Sequence, residues 1–258
     1  MNPAADWVRR YRPPSAGQRP LVCFPPAGAA ASFFQGLARA APAAVDPWAL
    51  SLPGREARIG EPAIERMDAL ADATADALLR LLADALPPAI LFGHSMGASL
   101  AFEVARRIEA VRPDAVGHVV VSGRAGPRGQ WAYPEAAPPT DDELVAALRM
   151  LGGTPEELLA EPDMLELLLP PLRSDYRLLH DYRPRLDPPL RSGITAIAGD
   201  EDPSVGPGEL ASWAEVTAGP FATATVRGGH VYLADRVDEA AALIAEVAEA
   251  LQRRPGSL

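Results

Sequence analysis

The sequence predicts an α/β fold: a mostly parallel β-sheet with helices on both faces, interrupted once by a block of helices. Three observations carry this. Short continuous apolar runs, such as Leu21-Val22-Cys23-Phe24, Ile90-Leu91-Phe92 and Val119-Val120-Val121, alternate with segments of helical period. Strands buried on both faces read this way because helices cover each side of a parallel sheet. One run ends in Gly93-His94-Ser95-Met96-Gly97 and a helix-like stretch follows at once, the pattern of a strand, a sharp turn and a helix. From about 127 to 187 the alternation stops and only helical signals remain.

Taken in order, Trp7-Val8-Arg9-Arg10-Tyr11 reads as a short edge strand that Pro13-Pro14 ends. The strand at 21–24 runs into Pro25-Pro26-Ala27-Gly28-Ala29-Ala30, and a helix begins near Ser32 carrying Phe33, Phe34 and Leu37. Trp48-Ala49-Leu50-Ser51-Leu52 is a second buried strand, closed by Pro53-Gly54-Arg55. A long helix is expected over 67–86, with Leu70, Ala73, Ala77, Leu78, Leu81 and Leu82 at helical spacing. After the serine turn come a helix over 99–111 and a strand over 118–123. Thr140-Asp141-Asp142-Glu143 is a capping box, and Thr154-Pro155-Glu156-Glu157 reads as a second with proline at the first helical position. A third helix carries Leu165, Leu168, Leu169, Leu172, Tyr176 and Leu179. The sheet resumes at 194–198, followed by a helix near 209–217, a strand over 221–226 and a closing helix over 237–251. The expected organisation is a core of 1–126 and 188–258 with a helical lid, 127–187, inserted over the strand ends. The alternative is extra helices packed on the sheet edge.

Bulk properties narrow the chemistry. The 258 residues suffice for one large α/β domain. All 24 basic residues are arginine, which excludes lysine nucleophiles and Schiff bases. A formal charge of −10 argues against a nucleic-acid partner. The single cysteine, Cys23, forbids an internal disulfide, fits a reducing cytoplasm and sits in a buried strand. No apolar run reaches membrane-spanning length, and scattered histidines without a cysteine pair suggest no metal site. A monomeric, cytoplasmic protein with no membrane contact is expected.

Small residues flank Ser95 so that the backbone can bend tightly, and the helix that follows points free N–H groups at it. A serine hydroxyl needs a base, and the base an orienting group, in the chain order Ser, Asp or Glu, His. Of four histidines, His94 shapes the turn, His118 opens a strand and His180 lies on the helical block beside Asp181. His230 follows Gly228-Gly229 at the end of the last strand, on the same side as Ser95. The acid belongs in Gly199-Asp200-Glu201-Asp202-Pro203. Asp202 is placed to swing under His230, Asp200 is the alternative, and Glu201 is the weakest of the three. Backbone N–H groups of Met96 and Ala27 are the expected oxyanion donors.

These residues resemble the type II thioesterases that accompany polyketide synthases and non-ribosomal peptide synthetases. The resemblance is carried by the serine motif, Pro25-Pro26-Ala27-Gly28 with Ser32-Phe33-Phe34, Pro53-Gly54-Arg55, and Leu151-Gly152-Gly153-Thr154-Pro155. Leu172-Arg173-Ser174-Asp175-Tyr176, the Asp200–Asp202 turn and Gly228-Gly229-His230 complete it. In that family the oxyanion loop usually reads Pro-His-Ala-Gly-Gly; Pro26 and Ala29 depart from it here. The resemblance implies an α/β-hydrolase fold with an inserted lid. It implies hydrolysis of acyl groups from the phosphopantetheine arm of acyl or peptidyl carrier proteins, an editing role, with no cofactor of the enzyme's own. A general serine esterase or lipase is the alternative. Arg55, Arg58, Arg173 and Arg177 are candidate carrier contacts.

Overall fold

The apolar runs become the strands of a single sheet in a computed structural model that describes residues 4–13, 15–83, 87–131 and 138–253. Among these residues the strands are β1 (Val8–Arg10), β2 (Arg19–Phe24), β3 (Val45–Leu50), β4 (Ala89–His94), β5 (Val116–Ser122), β6 (Gly193–Gly199) and β7 (Phe221–Val226). They lie in the order β1-β3-β2-β4-β5-β6-β7, with only β1 antiparallel to its neighbour. β4, which leads to Ser95, is therefore central and buried along its whole length. The mostly parallel α/β architecture expected from the sequence is thus observed.

Successive side chains of a strand face opposite ways, and the core divides accordingly. Val22, Phe24, Leu91, Val119 and Val121 join α2 (Met67–Leu81) and α3 (Met96–Val111) on one face. Leu21, Cys23, Ile90, Phe92 and Val120 join α1 (Gln35–Ala40) and α8 (Val237–Gln252) on the other. Between β5 and β6 lie α4 (Asp141–Leu151), α5 (Glu156–Leu159) and α6 (Pro162–Asp181); α7 (Pro207–Ala211) follows β6. Leu144, Val145, Leu169 and Leu172 give α4 and α6 a small core of their own, which rests on Ala27.

Several boundaries differ from expectation for local reasons. β3 starts at Val45 because Arg19 pairs with it, so Pro47 lies inside the strand; its carbonyl accepts the Tyr11 N–H. α2 ends at Leu81, the Leu82 carbonyl being taken by Arg112 Nη1 at 2.9 Å. The remainder of its expected span, 84–86, lies outside the described residues, as do Pro14 and positions 132–137 of the expected lid. α3 begins at Met96 rather than Ser99, and the helix expected near 209–217 divides into α7 and a 3₁₀ turn, Ser212–Val216. The Thr140–Glu143 capping box forms. The one expected at Thr154 does not: Pro155 itself takes the N-cap position of the four-residue α5, without a side-chain cap. α6 runs on through Pro170 and Pro171, although neither can donate an N–H to the turn before. No helix among the described residues is long and apolar enough to cross a membrane.

Buried Glu109, near the end of α3, accepts the N–H groups of Arg191 and Ser192 at 2.7 and 3.0 Å and so sets where β6 begins. Glu109→Ala strands these donors and should cost about 1–3 kcal/mol of stability, read from the midpoint of denaturant unfolding.

Candidate active site

Ser95 stands between β4 and α3 at φ 54°, ψ −119°, a conformation that side chains rarely adopt. Its N–H is held by the Ser122 carbonyl at 2.7 Å, and its carbonyl accepts Ala98 N at 2.9 Å. The flanking glycines are steric necessities. A Cβ on Gly93 would lie 2.2 Å from the Gly97 oxygen, and one on Gly97 would lie 2.0 Å from the Phe24 oxygen. Met96 opens the 16-residue α3, so its N–H has no carbonyl a turn earlier within the helix. Ala27 sits in the tight turn Pro26–Ala29, closed by Ala29 N to Pro26 O at 3.1 Å with Gly28 at φ +74°.

His230 follows β7 through Gly228, whose φ is +117°. Its Nδ1 lies 2.9 Å from Asp202 Oδ2. A carboxylate only accepts, so Nδ1 carries the proton and Nε2 keeps a free lone pair. Nε2 is buried and has no hydrogen-bond partner among the described residues. Ser95 and His230 line the same two cavities, of about 220 and 230 Å³. Burial alone would raise the Asp202 carboxyl, but hydrogen bonds from His230 and Ser204 outweigh it and hold it below the usual range. Asp200 is not at the imidazole. It accepts the Gly228 N–H at 2.8 Å and ties the two loops together, while Glu201 points to solvent. The geometry thus separates the two aspartates that the sequence left open. His118 pairs with Thr195 and His180 with Asp181, away from this centre.

Several contributors have no signal in the sequence. Ser204 donates N–H and Oγ–H to Asp202 Oδ1 at 2.9 and 2.6 Å and lies 3.0 Å from His230 Nδ1. His94 is buried, stacks on Phe33, bonds Ser122 Oγ at 2.9 Å and lies 5.1 Å from the His230 ring centre. Ser122 in turn reaches the Tyr232 hydroxyl at 2.7 Å. Burial first, and then the neighbouring His230, push the His94 imidazole down to about 3, so it stays neutral. Gly123, at φ +59°, separates the two rings: a Cβ there would meet His94 Cε1 at 3.0 Å and His230 Cε1 at 3.1 Å.

The two cavities differ in lining. One carries Arg124, Gln130, Ser204 and Glu209; the other carries Phe33, Leu148, Leu168, Leu172 and Val231. Both include Ala27, Leu151 and Tyr176, so α4 and α6 help to wall the site. Of the candidate carrier contacts, Arg55 is buried against Asp175, and the shielded Arg58 side chain bonds Glu61 and covers the Trp7 ring. Neither is a surface patch. Arg173 and Arg177 are half-exposed and paired with Asp141 and Glu65.

The family model for a thioesterase domain matches residues 19–251. The probable cadicidin biosynthesis thioesterase of Streptomyces griseus is 39% identical over 249 residues, spanning 96% of this chain and 66% of that protein's own length. Thioesterase PikA5 of Streptomyces venezuelae is 37% identical over 237 residues, spanning 90% of this chain and 82% of the relative. The solved structure of the type II thioesterase BorB from the borrelidin biosynthetic cluster superposes with a TM-score of 0.82 at 40% identity, covering 94% of this chain and 98% of that one.

The buried neutral histidine predicts a pH dependence of stability. His94 has its ordinary value of 6.5 when unfolded and about 3 when folded. Below 6.5 the unfolded state takes up a proton that the native state refuses. The stability present above pH 6.5 is therefore lost as pH falls towards 3, by about 1.4 kcal/mol per pH unit. Asp202, held below its ordinary value of 3.8, adds its loss at lower pH still. Denaturant midpoints between pH 7 and 4.5 should fall along this slope, and more shallowly in His94→Gln.

Proposed function

This chain belongs to the thioesterase family, and from that premise we propose that it removes acyl groups from the phosphopantetheine arm of acyl or peptidyl carrier proteins. The role is editing in polyketide or non-ribosomal peptide synthesis, carried out by a monomer in the cytoplasm. The observation that carries the reading is the meeting of Ser95, at its strained turn, and the Asp202-bound imidazole of His230 on the same cavities. The chain's similarity to biosynthetic thioesterases over nearly its whole length supports the substrate class.

Ser95 Oγ attacks the thioester carbonyl while His230 Nε2 takes its proton. The oxyanion is held by the N–H groups of Met96 and Ala27. The carbon–sulfur bond breaks and the thiol leaves with the proton from His230. A thiol is a far better leaving group than an amine (pKa roughly 8.5 for a free cysteine), so little acid assistance is needed. Water then gives its proton to His230 and attacks the acyl-serine, releasing the acid and restoring Ser95. Asp202 keeps the Nδ1–H tautomer throughout. Water is the only co-reactant these steps require, so no cofactor is assigned. The apolar cavity suits an acyl chain and the polar one the amide-bearing arm, with the stretch 127–187 as lid. A general esterase would use the same groups on an oxygen ester, so relative turnover of matched thioesters and oxygen esters separates the two readings.

The direct test is the intact mass of an acylated carrier protein. Wild type should remove the acyl mass, and Ser95→Ala should slow this by about 10⁴-fold or more. Loss of the acyl group with both proteins, or with neither, would reject the mechanism.

A further inference from the structure

The turn that carries the Ala27 donor is held from behind by a buried ion pair that the reaction scheme does not use. Asp175, on α6, accepts both terminal nitrogens of Arg55: Nη1 to Oδ2 at 2.7 Å and Nη2 to Oδ1 at 2.8 Å. The same Oδ2 accepts the Gly28 N–H at 2.8 Å, and the same Nη1 donates to the Ala29 carbonyl at 3.0 Å. The side chains are 7% and 3% exposed, and neither lines the two cavities that Ser95 and His230 share. One partner thus grips an N–H of the turn and the other grips a C=O.

This grip selects a conformation. With Gly28 at φ +74° and Ala29 N bonded to Pro26 O, the turn is of type II. The alternative, type I, rotates the peptide between Ala27 and Gly28 and would swing the Gly28 N–H away from Asp175. Leu172, one turn before Asp175, packs on Gly28, where a Cβ would be 2.9 Å from its Cδ1. We infer that Arg55 and Asp175 are a positioning pair: together they fix the oxyanion loop, and so the aim of the Ala27 N–H, against the inserted helices. The inference rests on the proposed acyl-transfer reading. A misaimed donor matters when charge develops on the carbonyl oxygen, so kcat falls while KM holds.

The test replaces the pair by apolar residues of similar volume, Arg55→Met with Asp175→Leu, which leaves no orphaned charge and frees the Gly28 N–H and the Ala29 carbonyl together. Steady-state kinetics on an acyl-carrier thioester should show kcat down by about 10²-fold with KM unchanged. Phosphonylation of Ser95 by a fluorophosphonate, whose adduct also places oxygen on the donors, should slow in parallel, with thermal unfolding near that of wild type. Asp175→Asn, which keeps the shape but gives up the charged fork, should move the same way by less. Wild-type kcat and phosphonylation in folded variants, or a rise in KM alone, would overturn the inference. Loss of the fold in both variants would make the pair a core element and overturn it too. A wild-type enzyme inert to thioester and phosphonate alike would instead remove the proposed function, and with it the donor this pair serves.

Discussion

Gly97 brings the first turn of α3 against the end of β2 so closely that no side chain could stand between them. A Cβ there would lie 2.0 Å from the Phe24 oxygen and 2.7 Å from the Pro25 oxygen. This backbone-on-backbone contact has two results. It holds Ser95 at the apex of a turn too tight for an ordinary residue, and it starts the 25–30 loop within reach of the same hydroxyl. The strained φ of Ser95 persists because buried strands on both sides of β4 leave the chain nowhere to relax.

Around this turn the two imidazoles stand in different surroundings: the Asp202 carboxylate accepts from His230, and His94 meets the Ser122 hydroxyl. His94 lies behind His230, its ring centre 5.1 Å from that of His230, and burial keeps it neutral. The two aspartates of the β6 loop divide their work by position. Asp202 has both oxygens engaged, one by His230 and one by Ser204, whereas Asp200 spends its oxygen on the backbone of Gly228. Gly199 allows this close seam between loops, since a Cβ there would lie 2.2 Å from the Gly228 oxygen.

The inserted helices α4 and α6 contribute walls to both cavities. Leu144, Val145, Leu169 and Leu172 form a small core between α4 and α6, Leu178 and Leu179 of α6 join the main core, and polar ties add to this attachment: Arg55 with Asp175, and Tyr182, just after α6, with Glu103 of α3. Ties of that kind are directional and fix geometry where a small apolar contact alone would allow sliding. They bring Leu151 and Tyr176 to both cavities and so make the shape of the site depend on the placement of α4 and α6.

The sequence by itself determined the parallel sheet, the place of Ser95 and the strand ends from which His230 and Asp202 come. Those features rest on local period and on glycines whose need is local. Local signals also misled: Thr154 has the letters of a capping box, but Pro155 takes the cap, and Arg55 has the charge of a surface contact but is buried. Only the tertiary structure shows that Asp202 and not Asp200 meets His230, because both leave the same strand and the contact depends on how the β6 and β7 loops meet. It alone revealed Ser204, Gly123, the neutral His94 and the Asp175 tie to Gly28. Each is a contact between segments far apart in the chain, and neither spacing nor composition encodes which of many polar residues will be enclosed together.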